Sequence, residues 1–388
     1  MDLPGEAALP TAELAAVASA ASGHDVSDPV ACAAPVAYDW GSPATAGLWR
    51  VDVREGSPDG QVACSFFVKL LRDIRLWPGL ASIPAALRAD FTEFYPWRYE
   101  LDMYECGIGS VLPDGMRTPV LHHVKYADAD HIALWWEFII QRRGQWARPD
   151  YERAAYLLGR LAARRREGAP VNEKLPARAH DQSRGSSLRR YTETRVLLGL
   201  LPALRAGAVW GHPVVAEALS RTRDPGLPAA MLALGERLPK LIDVLEGLPQ
   251  THAHGDASPQ NLLLPADEPG TIAAIDWGFG DLLPAGFDLG QLLAGLAHAG
   301  ETDPADLAGV DAVIFPSYLE GLAAEGYDVA PQDVRTGYIG GLAARSALCT
   351  LPLEMLGSAT PDQEETVALF ADRLRLARVL VDMAAEVS

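Results

Sequence analysis

Thr251-His252-Ala253-His254-Gly255-Asp256-Ala257-Ser258-Pro259-Gln260-Asn261-Leu262-Leu263-Leu264, followed by Ile272-Ala273-Ala274-Ile275-Asp276-Trp277-Gly278, is the stretch that decides the reading of this chain. Asp256 lies in a tight loop between two apolar runs. Asn261 comes five residues later, at the start of a predicted strand over 261–264. Turn residues fill 265–270, and a second predicted strand, 271–275, delivers Asp276 at its end. Such a hairpin sets Asn261 and Asp276 side by side, with Asp256 facing them. Phosphoryl transfer asks little more of a protein: a carboxylate to orient a hydroxyl and take its proton, and oxygen ligands for Mg²⁺.

Upstream, the text is rich in β-formers. Segments 48–53 and 62–71 flank the turn Glu55-Gly56-Ser57-Pro58-Asp59-Gly60 and read as a hairpin. Its second strand holds Phe66-Phe67-Val68-Lys69, which presents a lysine as a point charge. Phe94, Trp97, Leu101, Tyr104 and Ile108 recur at helical steps and predict one helix over 90–108, carrying Glu100, with Pro96 in its first turn or the helix beginning there. Two more strands are expected at 119–126 and 131–138. From there the text turns helical, with helices expected over 151–167, 316–350 and 363–386 and a polar loop over 174–185. A short N-terminal helix is expected with Thr11 as its cap. The sum is an α+β chain in two lobes, a β-rich one over 1–138 and a mostly helical one over 139–388.

His254-Gly255-Asp256-x-x-x-x-Asn261 with Ile275-Asp276-Trp277-Gly278 resembles the signature of the aminoglycoside phosphotransferase and choline kinase superfamily. These are small-molecule kinases with a two-lobed, protein-kinase-like fold, and the resemblance extends over most of the chain beyond about residue 35. It implies Asp256 as catalytic base, Asn261 and Asp276 as metal ligands, His254 as a brace of the loop, and Asp288 holding that loop from below. It also implies Lys69 on the α- and β-phosphates with Glu100 as its partner. Thr45 and Gly47, in the turn-like 41–48, would lie in a phosphate-covering loop ahead of the first strand. The backbone of Glu137, Phe138 and Ile139 would meet the adenine edge. The implied cofactors are ATP, or GTP, and Mg²⁺. Protein kinases carry Arg where Gly255 stands, and only eleven residues separate Asp276 from Asp288, which leaves no room for a long activation loop.

Other chemistries find no foothold. There is no GxSxG or GxxxxGK[ST] motif, and Cys32, Cys64, Cys106 and Cys349 are too widely spaced for a zinc cage. His122, His123 and His131 read as structural, as does His252. A net charge of −18 argues against a nucleic-acid partner. No segment approaches the ~20 apolar residues of a membrane span, and no Lys or Arg precedes Arg50, so a cytoplasmic protein is expected. Charge is uneven: residues 281–388 hold 17 Asp and Glu against 5 Lys and Arg, whereas 141–207 hold 6 against 15. The acidic part suits a cationic hydroxyl acceptor. The basic, Ser-containing 178–195 suits an anionic or peptide one. A pseudokinase would have lost Lys69, Asp256, Asn261 or Asp276, and all four are present.

Overall fold

The computed structural model describes residues 3–36, 42–174, 176, 186–357, 360 and 363–387. A five-stranded sheet in the order β1-β2-β3-β6-β5 forms its N-terminal part: β1 Pro29–Pro35, β2 Thr45–Glu55, β3 Val62–Arg72, β5 Leu121–Tyr126 and β6 His131–Glu137. All its pairings are antiparallel, and the β2–β3 pair is the hairpin read from the sequence. The two faces of β3 follow from its period of two. Phe66, Val68 and Leu70 pack into one apolar cluster with Val51, Val53 and Trp135, under helix α1 (Thr11–Ser22). Phe67 and Leu71 join a second cluster with Leu101 and Trp136 on the opposite face, and Lys69, between them in the alternation, emerges there.

Several expected boundaries move. The helix over 90–108 is two, α2 (Ala85–Phe94) and α3 (Tyr99–Glu105), because the chain turns extended at Tyr95 and Pro96 lies in the break between them. Thr11 is the first helical residue of α1; Pro10 occupies the cap position and no side-chain cap bond forms. Strand β1 was not foreseen. It precedes the hairpin, so the turn-like 41–48 follows a strand instead of leading the sheet. Thr45 and Gly47 themselves lie inside β2, with Thr45 buried opposite Leu71 and a bulge between the two. Gly41 of that turn, and all of 174–185 except Lys174 and Pro176, lie outside the described residues.

Beyond β6 the chain is mostly helical: α4 (Arg148–Arg164), α5 (Ser186–Tyr191), a π-helical run Thr192–Leu200, α6 (Leu201–Arg205), α7 (Ala208–Gly211), α8 (Pro213–Thr222), α9 (Leu227–Gly247), α10 (Asp288–Ala299), α11 (Leu307–Ala324), α12 (Pro331–Leu342) and α13 (Glu364–Ala384). The expected 316–350 helix is thus α11 and α12, separated by a turn at Gly326 (φ +69°). Two small sheets lie among them: β4 (Met116–Arg117), β9 (Ile272–Ala274) and β8 (Leu262–Leu263), and the pair β7 (Gln250–Ala253) and β10 (Asp281–Pro284). One helical stretch, 304–324, is long and apolar enough to cross a membrane by composition, contrary to the sequence expectation. About a third of it is buried, and it packs closely on α4. Gly159 of α4 and Gly321 of α11 face each other so closely that a Cβ on either would overlap the backbone of the other helix.

Candidate active site

The site lies between the sheet and the helices, and local geometry explains most of it. Lys69 Nζ donates to Glu100 Oε2 at 2.6 Å and to Asp276 Oδ1 at 3.4 Å. Both Lys69 and Glu100 are buried. Burial alone would push the ammonium down, but Asp276 and Glu100 more than offset it and hold Lys69 above its ordinary value. It therefore stays charged. The Glu100 carboxyl is pushed up by burial, against the pull of Lys69.

Strands β8 and β9 are the predicted hairpin, though shorter than expected; Asn261 falls in a short 3₁₀ turn just before β8. The Ile275 N–H donates to the Asn261 carbonyl at 2.9 Å, which sets Asn261 next to Asp276. Asp276 has φ +58°, a left-handed conformation uncommon outside glycine. Asn261 Nδ2 donates to the Asp256 carbonyl (2.9 Å) and to Asp256 Oδ2 (3.1 Å). Its described side-chain bonds thus all use nitrogen, which leaves the amide oxygen for a cation. With the Asp276 carboxylate this makes an oxygen-donor pair that fits Mg²⁺ shared with phosphate oxygens. Among the described residues no group of three or more His, Cys, Asp and Glu forms a protein-only metal cage.

The loop between β7 and Asn261 is held from inside. Asp288, first residue of α10, accepts from the N–H groups of His254 (2.9 Å) and Gly255 (2.8 Å). The buried His254 ring bonds Ile275 O through Nε2 (2.9 Å), accepts from the Asp256 N–H at Nδ1 (3.3 Å), and lies 4.5 Å from the ring of Trp277. Burial pushes this imidazole down, as that neutral tautomer requires. Gly255 has φ +83°, and a Cβ there would overlap the Phe279 carbonyl. Glycine is therefore dictated by the backbone at the position where protein kinases carry Arg.

The three residues expected to meet the adenine edge are not equivalent. The Glu137 N–H donates to Val120 O (2.8 Å) and the Phe138 N–H to Ser65 O (3.3 Å). These donors are committed to strand-like bonds, whereas no hydrogen bond of the Ile139 N–H is described. The Glu137 side chain is held by Arg117 in a two-pronged pair at 2.8 Å, and Arg117 also grips Glu268 (2.7 Å) on the β8–β9 turn.

One residue at the site was not foreseen. Arg345, in the π-helical turn Ala343–Ala347 after α12, donates through Nη2 to Asp256 Oδ1 at 2.9 Å and through Nη1 to the Gly255 carbonyl, and its guanidinium lies over the Phe279 ring. It is 89 residues from Asp256 in sequence, and an isolated Arg in helical text carries no signal of this. Burial raises the Asp256 carboxyl, and Arg345 is the strongest opposing influence. Of the histidines expected to be structural, His123 faces Glu13 (3.0 Å) and His131 faces Asp128 (3.1 Å). The four cysteines are free and half-buried.

Comparison with known proteins agrees. A model of the phosphotransferase enzyme family matches residues 112–324. Among solved structures, the chain is similar to a choline kinase from Cryptosporidium parvum Iowa II, with 14% identity, 91% of this chain and 90% of that one covered, and a TM-score of 0.46. It is also similar to an aminoglycoside phosphotransferase from Alicyclobacillus acidocaldarius (14% identity, 91% and 97% covered, TM-score 0.45) and to an amicoumacin kinase in complex with AMP-PNP (12%, 88% and 87%, TM-score 0.47). No curated protein sequence matches significantly. Because the family match spans more than half of the chain and encloses every residue from Asp256 to Asp288, the chain belongs to the phosphotransferase enzyme family.

Proposed function

We propose that the protein transfers the γ-phosphoryl group of ATP to a hydroxyl of a small molecule, with Asp256 as base. The observation that carries this is the joint placement of Lys69, Asp276, Asn261 and Asp256, linked in that order by hydrogen bonds or chain adjacency from one side of the cleft to the other. Lys69, kept charged by Glu100, holds the α- and β-phosphates. Asn261 and Asp276 hold Mg²⁺, which when bound neutralises charge on the phosphates. The Ile139 N–H and the Glu137 carbonyl receive the purine edge. Asp256 orients the acceptor hydroxyl and takes its proton as the phosphoryl group moves. Residues 1–138 and 139–388 act as the two lobes, and a cytoplasmic location, where ATP is supplied, belongs to the same reading.

The test is a transfer screen with γ-labelled ATP and GTP over aminoglycosides, other antibiotics, sugars, amino alcohols and Ser/Thr peptides. Label should pass to at least one small hydroxyl compound, faster from ATP than from GTP. Transfer to peptides alone would replace the small-molecule acceptor by a peptide one. Absence of both transfer and nucleotide binding would refute the assignment.

A further inference from the structure

The acidic excess after residue 280 suggested a cationic acceptor, but many of those carboxylates are engaged elsewhere. Asp311 and Glu386 pair with Arg335, Glu325 with Arg160 and Arg164, Glu364 with Arg221, and Asp382 with Arg378. What reaches Asp256 from the C-terminal helices is instead a cation, Arg345. Its turn is fixed in place: Gln291 Nε2 donates to Ser346 Oγ (2.9 Å), and Thr192 Oγ1 reaches Ala344 O (3.4 Å). Both Arg345 and Thr192 lie in π-helical segments, an uncommon geometry often found at functional sites.

More positive charge gathers on the same side. The Tyr191 hydroxyl donates to the Cys349 sulfur (3.7 Å), and the charges of Arg195 and Arg345 both act on that tyrosine. His298 is pushed down by desolvation and then by the charges of Arg373 and Arg345. Among the described residues, Asp256 is the one carboxylate paired with Arg345. A guanidinium has five N–H donors. Arg345 spends two of them on the loop while its side chain remains 18% exposed.

We propose that Arg345 makes the acceptor side of the site an anion-recognising one, so that the phosphorylated hydroxyl belongs to a small molecule bearing a carboxylate or phosphate close to it. The proposal rests on Asp256 being the base. The hydroxyl meets Asp256 while the neighbouring anion takes the remaining donors of Arg345, in a charge-assisted and directional contact. Arg345 thereby determines specificity, and an acceptor bringing an ammonium group to the same place meets like charge.

The experiment uses four three-carbon probes that share a vicinal diol and differ in the charge and identity of the third carbon's group: glycerol, D-glycerate, glycerol 3-phosphate and 3-amino-1,2-propanediol. Transfer from labelled ATP is measured with the full-length protein and with its Arg345→Gln and Arg345→Lys variants, each checked for folding by circular dichroism. In the unmodified protein one or both anions should exceed glycerol in kcat/KM by about tenfold or more, and the ammonium compound should fall below it. The better anion identifies carboxylate or phosphate as the recognised group. Arg345→Gln should collapse the anion-to-glycerol ratio, mainly through KM, and Arg345→Lys should restore part of it. Equal rates for anions and glycerol, a preference for the ammonium compound, or a uniform loss over all four in Arg345→Gln would each overturn the proposal. If none of the four is turned over, calorimetric titration of the same probes into AMP-PNP-loaded protein decides on the same terms. Anion binding that weakens in Arg345→Gln supports the proposal, and no anion binding overturns it. A protein that binds no AMP-PNP fails the phosphotransferase reading itself, whereas one that binds it and prefers the ammonium probe fails only the anion assignment.

Discussion

Lys69 illustrates how a single position draws its chemistry from strand periodicity. Alternation along β3 sends Phe66 and Val68 to one face and Lys69 to the other, where α3 supplies Glu100. Lys69→Met should cut kcat/KM for the nucleotide roughly a hundredfold, read in steady-state kinetics, while the fold survives. Gly255→Ala should instead act on stability. It forces a side chain into a left-handed conformation against the Phe279 carbonyl, at a cost of about 1–3 kcal/mol, visible in denaturant unfolding. On the proposed assignment of Asp256 as base, this residue sets the pH dependence. Its carboxyl is raised by burial, and below that raised value it is protonated and cannot accept a proton, so kcat should fall as pH falls through it. Removing Arg345 removes the strongest lowering influence, so in Arg345→Gln the acid limb of the pH–rate profile should move to higher pH. The residues of the His254–Asp276 stretch were legible because their contacts close within one hairpin. Arg345 was not, because it joins Asp256 from a helix 89 residues away.

At the scale of elements, the sequence showed the strands that alternate and the helices that repeat, and misplaced those whose pattern runs through a break. Phe94 and Trp97 keep helical spacing across Pro96, so α2 and α3 read as one helix until backbone geometry separated them. Strand β1 is small and weakly patterned, Pro-Val-Ala-Cys-Ala-Ala-Pro, and its identity comes from pairing with β2 rather than from its own residues. The backbone role expected of residues 137–139 has no side-chain signature, but Glu137 has a side-chain role that only the fold shows. Arg117 ties Glu137 at the end of β6 to Glu268 on the β8–β9 turn, and so joins the sheet to the hairpin that carries Asp276. The network is partly exposed, so Arg117→Gln should cost only about 1 kcal/mol of stability. The larger effect should be a severalfold rise in the nucleotide KM, because the sheet and hairpin lose their fixed spacing. A drop in melting temperature with unchanged KM would show the network to be structural alone.

Across the whole molecule, composition bounded the answer without locating it. The formal charge of −18 is spread over faces where arginines and carboxylates pair, and the count alone could not show that an arginine, not an acid, reaches Asp256. Self-repulsion at that charge should make the protein more heat-stable as NaCl rises from low to physiological concentration, since screening weakens repulsion over about 8–10 Å. A scan of melting temperature against salt checks this. The two-part architecture itself was legible because β-forming and helix-forming text occupy separate stretches of the chain. The most direct test of the central claim compares Asp256→Asn with the unmodified protein, measuring AMP-PNP affinity and phosphoryl transfer to the acceptor found by screening. The expected result is unchanged nucleotide affinity with transfer reduced by a factor on the order of a hundred or more; transfer at the unmodified rate in Asp256→Asn would contradict the assignment of Asp256 as the base.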